Sequence, residues 1–133
     1  MIVVEIARTL AGELAGGLLA DLGAVVVKVE PAEGSPLRRL GPALPGEDSL
    51  YFQSENRGKL SACADLAAPG GMPWLSALLA RADAVVEDLG PTGLEALGLG
   101  PGTLEAVNPR LCTLRISPFG QTGPLARERA DDR

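Results

Sequence analysis

The sequence predicts an α/β fold, an open Rossmann-like parallel sheet with helices on both faces. Short apolar runs rich in β-branched residues alternate with segments of helical spacing. A strand, a glycine-bearing helix and a second strand follow one another within residues 2–30, which is typical of a βαβ unit with parallel strands. The strands are almost continuously apolar, as expected of a sheet covered on both faces. The length of 133 residues predicts one domain.

The first βαβ unit is predicted from residues 2–29. A strand over Ile2–Ile6 precedes a helix over Leu10–Leu22, and a second strand follows over Ala24–Val29. Leucines spaced by four residues share one face of this helix: Leu14, Leu18 and Leu22. The same helix contains three glycines, which lower helix stability: Gly12, Gly16 and Gly17. We therefore expect the helix to pack closely on the sheet at these glycines.

Three more strands and four helical segments complete the predicted fold. The strands are expected over Leu60–Leu66, Ala84–Asp88 and Arg110–Ser117. The helical segments are expected over Ser49–Asn56, Met72–Arg81, Leu94–Leu97 and Thr103–Val107, with Thr103 as an N-cap. The segment from Glu30 to Asp48 is rich in Pro and Gly and has no periodicity, which predicts a long loop. Such loops are usually functional or pack on another element.

Composition excludes several classes of function. The net charge of −5 disfavours nucleic acid as a partner, since that calls for a basic face. No apolar run is long enough for a membrane span, and no basic segment precedes the first strand, so we expect a cytoplasmic protein. Without histidine there is no imidazole base, and two cysteines far apart predict no metal site. Cys63 and Cys112 are expected to be reduced core residues.

The carboxyl ends of the strands are where ligands of open parallel sheets bind. The free N–H groups of a helix beginning near Gly12 suit a phosphate, and Glu30 could hold a ribose hydroxyl. This arrangement is similar to a dinucleotide site. However, the fingerprint G-x-G-x-x-G is missing, since the segment reads AGELAGG. A classical NAD site is therefore disfavoured, and the glycines are better explained by helix packing.

A series of motifs runs in one order along nearly the whole chain. Residues 10–31 read LAGELAGGLLADLGAVVVKVEP. The motifs after it are Gly34–Arg39, the Tyr-Phe, Asn, Lys and Ser of residues 51–61, Asp65–Gly71, Ala82–Glu87, Leu97–Gly100, Asn108–Leu111 and Ile116–Pro124. Together they resemble the family III CoA-transferases, the group of formyl-CoA transferase, carnitine CoA-transferase and α-methylacyl-CoA racemase.

The resemblance implies an enzyme that transfers coenzyme A by covalent catalysis. In the family an aspartate carboxylate attacks an acyl-CoA, and aspartyl anhydride and aspartyl-CoA thioester intermediates carry CoA to an acceptor carboxylic acid. Acyl-CoA and a carboxylic acid are therefore the expected partners, with the CoA thioester as substrate and no prosthetic group. The family also implies an interlocked homodimer of chains much longer than 133 residues.

The family nucleophile has no counterpart in the sequence. By spacing from Pro124, Asp132 matches a different aspartate of the family, and Asp131 stands where racemases have a histidine. We therefore expect no catalytic residue here, and residues 1–133 to be the N-terminal Rossmann-like domain, truncated before the catalytic aspartate. One alternative is a stand-alone module that binds CoA or a partner chain without catalysis. Another is part of an acyl-CoA racemase.

The resemblance also implies a set of CoA-binding residues, at the strand ends and in the loop after the second strand. They are Thr9, Leu10, Ala11, Pro31, Arg38, Arg39, Ala64, Ala67 and Asp88. Three positions depart from the family pattern: Ala67 replaces a common Lys, Asp88 an Asn and Ala96 a frequent Arg. The loss of two cations should weaken phosphate binding. Arg57 and Lys59 are further candidate phosphate partners, beside Arg38 and Arg39.

Overall fold

The computed structural model of the chain describes residues 1–128 and contains a five-stranded, entirely parallel sheet. Its strands are β1 (Ile2–Ile6), β2 (Val25–Glu30), β3 (Leu60–Cys63), β4 (Ala84–Glu87) and β5 (Cys112–Arg115). They lie in the order β3-β2-β1-β4-β5. The predicted open parallel α/β sheet is confirmed.

Within residues 1–128, five α-helices connect the strands. They are α1 (Leu10–Asp21), α2 (Leu50–Glu55), α3 (Gly71–Leu79), α4 (Gly93–Ala96) and α5 (Pro101–Val107). The N-cap predicted at Thr103 is wrong, because α5 begins at Pro101 after Gly100. Proline suits a first helical position, since its fixed φ is already helical. Among residues 1–128, none of these helices has the length and apolar composition that a membrane span requires.

The sheet buries an apolar layer on each face because successive side chains of a strand point to opposite faces. Val4 and Val85 contribute to the larger layer, in which Leu75 and Leu79 of α3 are also fully buried. Leucines from the α4 and α5 region complete this layer: Leu94, Leu99 and Leu104. The smaller layer lies against α1 and contains Val3, Val26 and Val86.

Helix α1 contacts the rest of the molecule through its glycines. A methyl group at Gly16 would overlap the Glu5 carboxylate, and one at Gly17 would lie 2.6 Å from the Glu55 carbonyl oxygen. The expected close packing on the sheet is confirmed at Gly16, whereas Gly17 packs against the end of α2. Leu14, Leu18 and the C-cap Leu22 form a stripe that faces solvent instead of the sheet, at 45%, 54% and 84% exposure, whereas Leu19 packs against the smaller layer.

Both cysteines are free and exposed, so the predicted core location of Cys63 and Cys112 is wrong. They lie on β3 and β5, the two edge strands of the sheet. Most residues of these two strands are exposed. An apolar run on an edge strand therefore does not guarantee that its cysteine is buried.

The segment after β2 is partly ordered into helical turns. A 3-10 turn spans Pro36–Arg39, and Ser49 caps α2 by accepting a hydrogen bond from the Phe52 N–H. The Ser49 hydroxyl also donates to the carbonyl of Leu37, which ties the 3-10 turn to α2. This segment therefore packs on its own chain.

Candidate functional site

The strand order places a crevice between the carboxyl ends of β1 and β4. Strand β2 lies on one side of β1 and β4 on the other, and ligands of open sheets bind where the order reverses in this way. Asp88, directly after β4, reaches across to the loop after β1. Its carboxylate accepts hydrogen bonds from the N–H groups of Arg8 and Thr9, both at 2.8 Å, and from the Thr9 hydroxyl at 2.6 Å.

Two of the predicted residues, Thr9 and Asp88, are therefore brought together at this crevice. The Thr9 hydroxyl also caps α1 by accepting from the Gly12 N–H. Leu10 and Ala11 follow in the first turn of α1, and both are exposed. The Asp88 carboxylate is occupied by its three bonds, so its effect on a ligand would pass through the loop that it fixes.

A cavity of about 330 Å³ lies beside this crevice, at the carboxyl ends of β1, β2 and β3. We call it the main cavity for its place at the strand ends, although an open hollow beside Arg38 and Arg39 has a larger volume, about 540 Å³. Its lining includes three of the predicted residues: Pro31, Ala64 and Ala67. Four ionisable residues also line it: Arg8, Glu30, Glu33 and Asp65. Ala96, at the end of α4, precedes Leu97, which lines the same cavity.

Arg38 lies outside the main cavity and is held by carboxylates. It donates to both oxygens of Glu30 at 2.8 Å and to Asp48 at 2.5 Å, and its guanidinium lies 3.9 Å from the centre of the Phe52 ring. Arg38 and Arg39 both line a separate, open hollow together with Glu47 and Asp48. Arg38 also lines a small pocket together with Pro31, whereas Arg39, within residues 1–128, shares a pocket with none of the predicted residues except Arg38. The role of the two arginines in CoA binding stays a prediction.

Glu30 is the partner that fixes Arg38. Burial alone would raise the pKa of this carboxyl, but it accepts hydrogen bonds from Arg38, from the Ser35 N–H and from the Ser61 hydroxyl. These bonds outweigh burial and hold the pKa at about 2. Since Glu30 is 3% exposed and already satisfied, it is poorly placed to bind a ribose hydroxyl.

Four charged side chains form a buried ion cluster beneath α1: Glu5, Glu13, Lys28 and Lys59. The Lys28 ammonium lies 2.9 Å from Glu5 and 2.8 Å from Glu13, and Lys59 lies 2.7 Å from Glu5. Burial raises the pKa of Glu5 and lowers that of Lys59, while their ion pairs act in the opposite direction. The two negative and two positive charges balance inside the cluster.

The buried ion cluster connects the site to the segment after β2. Glu13 accepts hydrogen bonds from the Ser35 hydroxyl and from the Asn56 amide, and Lys28 donates to the carbonyl of Ala7 at 3.5 Å. Lys59 is therefore a buried structural cation in this arrangement. Arg57 instead pairs with Asp21 at the surface. Phosphate binding by Lys59 and Arg57 therefore stays a prediction, and the ion pairs that both residues form disfavour it.

Sequence reasoning missed the buried ion cluster and Arg8. The sequence did contain an indication of the cluster, because each of two apolar strands includes one charged residue: Glu5 in IVVEI and Lys28 in VVVKVE. The two are also direct neighbours in the β1–β2 register. Arg8 is the first cation after β1, at the edge where ligands of parallel sheets bind.

Within residues 1–128, no group of three or more His, Cys, Asp or Glu side chains is arranged to hold a metal ion. Asp131 and Asp132, the two aspartates that bear on the transferase and racemase alternatives, lie outside the described residues.

Comparison with known proteins identifies the family. The sequence profile of CoA-transferase family III matches residues 1–133. Succinate–glutarate CoA-transferase of Agrobacterium fabrum is 44% identical over 131 residues, covering 93% of this chain and 33% of that protein. Human succinyl-CoA:glutarate CoA-transferase is 37% identical over 131 residues, covering 98% of this chain and 30% of that protein.

A solved structure agrees with the fold as well. A CAIB/BAIF family protein from Brucella suis superposes with a TM-score of 0.91 at 43% identity, covering 99% of this chain and 36% of that one. The chain spans about a third of the length of the curated relatives it matches. Because the profile matches from the first residue to the last, the chain belongs to CoA-transferase family III.

Proposed function

We propose that residues 1–133 form the N-terminal Rossmann-like, CoA-binding domain of an enzyme that moves CoA between an acyl-CoA thioester and a carboxylic acid. The observation that carries the proposal is the family match over the whole chain, combined with a cavity at the carboxyl ends of β1, β2 and β3. That edge is where open parallel sheets bind their ligands. Matches at the start of much longer transferases support the domain assignment.

The main cavity is the proposed binding site for the adenosine end of CoA. Pro31, Ala64 and Ala67 supply small apolar surfaces against which a flat base can pack. Glu33 and Asp65 supply exposed carboxylates on the same lining, and these can accept hydrogen bonds from an amino or hydroxyl group. Thr9, Leu10 and Ala11 would bring the loop after β1 to the rest of the coenzyme.

In this proposal the residues of the chain bind and orient, and an aspartate outside it performs the covalent step. The aspartate carboxylate would attack the thioester carbonyl, forming an aspartyl anhydride and releasing the CoA thiolate. The thiolate would then attack the aspartyl carbonyl, giving an aspartyl-CoA thioester and the free acid. The acceptor carboxylate repeats these steps in reverse. Residues 1–133 alone would therefore bind CoA and transfer nothing.

The proposal extends to assembly and location. We propose a homodimer in the cytoplasm as the working form, as the family resemblance implies. The relatives supply the first substrates to test: succinyl-CoA as donor and glutarate as acceptor, which their names give for those proteins.

The test uses the native protein that contains this chain, isolated from its source and first weighed as an intact polypeptide. Incubation with succinyl-CoA and isotopically labelled glutarate is expected to give labelled glutaryl-CoA. Hydroxylamine added without acceptor is expected to trap one aspartate as its hydroxamate, visible by peptide mass spectrometry. A native polypeptide of only these 133 residues would favour the stand-alone binding module. Succinyl-CoA hydrolysis without a trapped aspartate would contradict covalent transfer.

A further inference from the structure

Among the described residues, the lining of the main cavity is polarised, with its only cation on the β1 side. Among the four ionisable residues of its lining, Glu30 is neutralised by Arg38 at 2.8 Å. Glu33 and Asp65 are exposed and form no ion pair among the described residues, and they lie after β2 and β3. Arg8, after β1, is the one positive charge that residues 1–128 contribute to the lining. A phosphate group would be repelled by the carboxylates and attracted to Arg8.

The other cations near this edge are already engaged. Lys28 and Lys59 belong to the buried ion cluster, and Arg38 is paired with Glu30 and Asp48. Several arginines have no ion pair within residues 1–128: Arg8, Arg39, Arg81, Arg110 and Arg127. Of these, Arg8 alone lines the main cavity. It therefore can accept an external anion there without breaking an ion pair.

The backbone at Arg8 is held in place from two directions. Its N–H donates to Asp88 at 2.8 Å, and the carbonyl of Ala7 just before it accepts from the Lys28 ammonium at 3.5 Å. Because the backbone is already fixed, less conformational entropy is lost when the exposed Arg8 side chain becomes ordered on binding a ligand. The guanidinium offers a planar set of donors that matches two oxygens of a phosphate.

We propose that Arg8 binds a phosphate of CoA at the β1 side of the main cavity, with the nucleoside lying over the ends of β2 and β3. This assignment rests on the proposed function. Asp88 and Lys28 are then positioning residues, since they act on the loop and touch no ligand. The CoA molecule offers two phosphate sources, the diphosphate bridge and the 3′-phosphate.

The test compares Arg8→Gln with Arg81→Gln in the full-length native protein. Arg81 is a matched control, because it is exposed, forms no ion pair among the described residues and lies outside the main cavity, just before β4. By titration calorimetry, R8Q is expected to raise the Kd for CoA by about ten- to a hundredfold, the loss of one charge-assisted contact. R81Q is expected to leave it unchanged. Adenosine, which has no phosphate, should bind wild type and R8Q alike by ligand-observed NMR.

Two further arms complete the test. If 3′-dephospho-CoA shows the same loss with R8Q, Arg8 binds the diphosphate, and if the loss disappears, Arg8 binds the 3′-phosphate. Arg8→Lys keeps the charge without the planar pair of donors, so its Kd is expected between wild type and R8Q. If R8Q has a lower melting temperature than wild type, R8K serves as the test variant in its place.

Unchanged CoA binding by R8Q would overturn the assignment, as would an equal loss for adenosine. A wild-type protein that binds adenosine but not CoA would contradict Arg8 as a phosphate ligand. Failure of the proposed function would give a different result. In that case the wild-type protein would bind CoA, R8Q would bind it more weakly, and yet no CoA would be transferred to any acceptor.

Discussion

Glu30 shows how single contacts shape the wall of the main cavity. This residue ends β2, lines the cavity and is 3% exposed, yet both of its carboxylate oxygens accept hydrogen bonds from neighbouring groups. Arg38 binds both of its oxygens and Ser35 contributes a backbone N–H, so the 3-10 turn of Pro36–Arg39 is tied to the strand end. The carboxylate thus fixes the shape of the cavity wall without presenting a free charge to it.

This arrangement predicts a stability that depends on pH. The pKa of Glu30 is lowered from 4.5 to about 2 in the folded protein, so the unfolded state binds the proton more readily. Its contribution is complete above pH 4.5 and is lost as pH falls through 2. We expect at most about 3 kcal/mol from this shift. In urea unfolding, the difference between wild type and Glu30→Gln should shrink as pH falls from 5 to 2. A difference that stays constant over that range would contradict the prediction.

At the level of residues, the sequence predicted where a residue lies relative to the strands better than it predicted which side chains form ion pairs. Thr9, Pro31, Ala64, Ala67 and Asp88, which the family resemblance implied, lie near the carboxyl ends of strands, because parallel strands all end at one edge. Their contact with CoA stays a prediction. The pairing of Arg38 with Glu30 was not predictable, since it requires the segment after β2 to fold back through the 3-10 turn. The local amino-acid composition does not indicate that this segment folds back onto the end of β2.

The buried ion cluster joins elements that are far apart in the chain. It connects β1 through Glu5, α1 through Glu13 and β2 through Lys28, while Lys59 precedes β3. Ser35 and Asn56 extend it to both ends of the segment between β2 and β3. A buried charge left without its partner is costly, so the cluster holds these elements in one arrangement.

Lys28→Met should therefore destabilise the fold strongly. It leaves the carboxylates of Glu5 and Glu13 in a buried site with one remaining cation, Lys59, and we expect a loss of about 3–5 kcal/mol in the free energy of unfolding. Arg57→Met is the matched control, because it breaks the surface pair with Asp21 and should cost less than about 1 kcal/mol. Urea unfolding at neutral pH measures both. Equal effects of the two substitutions would show that burial does not govern the cluster.

The limits of element-level prediction are clearest in α1. Hydrophobic runs and turn residues located all five strands, because these features are local. The orientation of α1 did not follow from its leucine spacing, since its buried face consists of Gly12, Glu13, Gly16 and Gly17. The glycines let the helix approach the sheet closely enough to place Glu13 beside Lys28. The inward side of α1 thus combines this ionic contact with apolar packing of Ala15 and Leu19 on the smaller layer.

At the scale of the whole molecule, the sequence predicted parallel strands but not their order. Alternating strands and helices require crossover connections, and these make the strands parallel. The reversal that places β4 on the other side of β1 depends on which edge of the sheet α3 returns to. That choice also creates the crevice where Asp88 meets the loop after β1. The site is therefore a product of topology, which local sequence patterns do not specify.

At the same scale, the leucine stripe of α1 has no partner within the part of the chain that the structure describes. Leu14, Leu18 and Leu22 are 45%, 54% and 84% exposed and recur on one face of the helix. Monomeric proteins rarely expose a continuous apolar surface of this kind. We therefore expect the isolated chain of 133 residues to self-associate and to bind a hydrophobic dye.

The double variant Leu14→Lys/Leu18→Lys should shift sedimentation velocity profiles toward monomer and lower the dye fluorescence, because it places two charges in the middle of the stripe. Leu44→Lys/Leu125→Lys is the matched control, since these leucines are 60% and 53% exposed but lie outside α1. The control should leave association nearly unchanged, because scattered exposed leucines form no continuous surface. If the wild-type chain is a monodisperse monomer that binds no dye, the stripe is too small to drive association. If both variants act alike, association depends on total exposed apolar area and not on the face of α1.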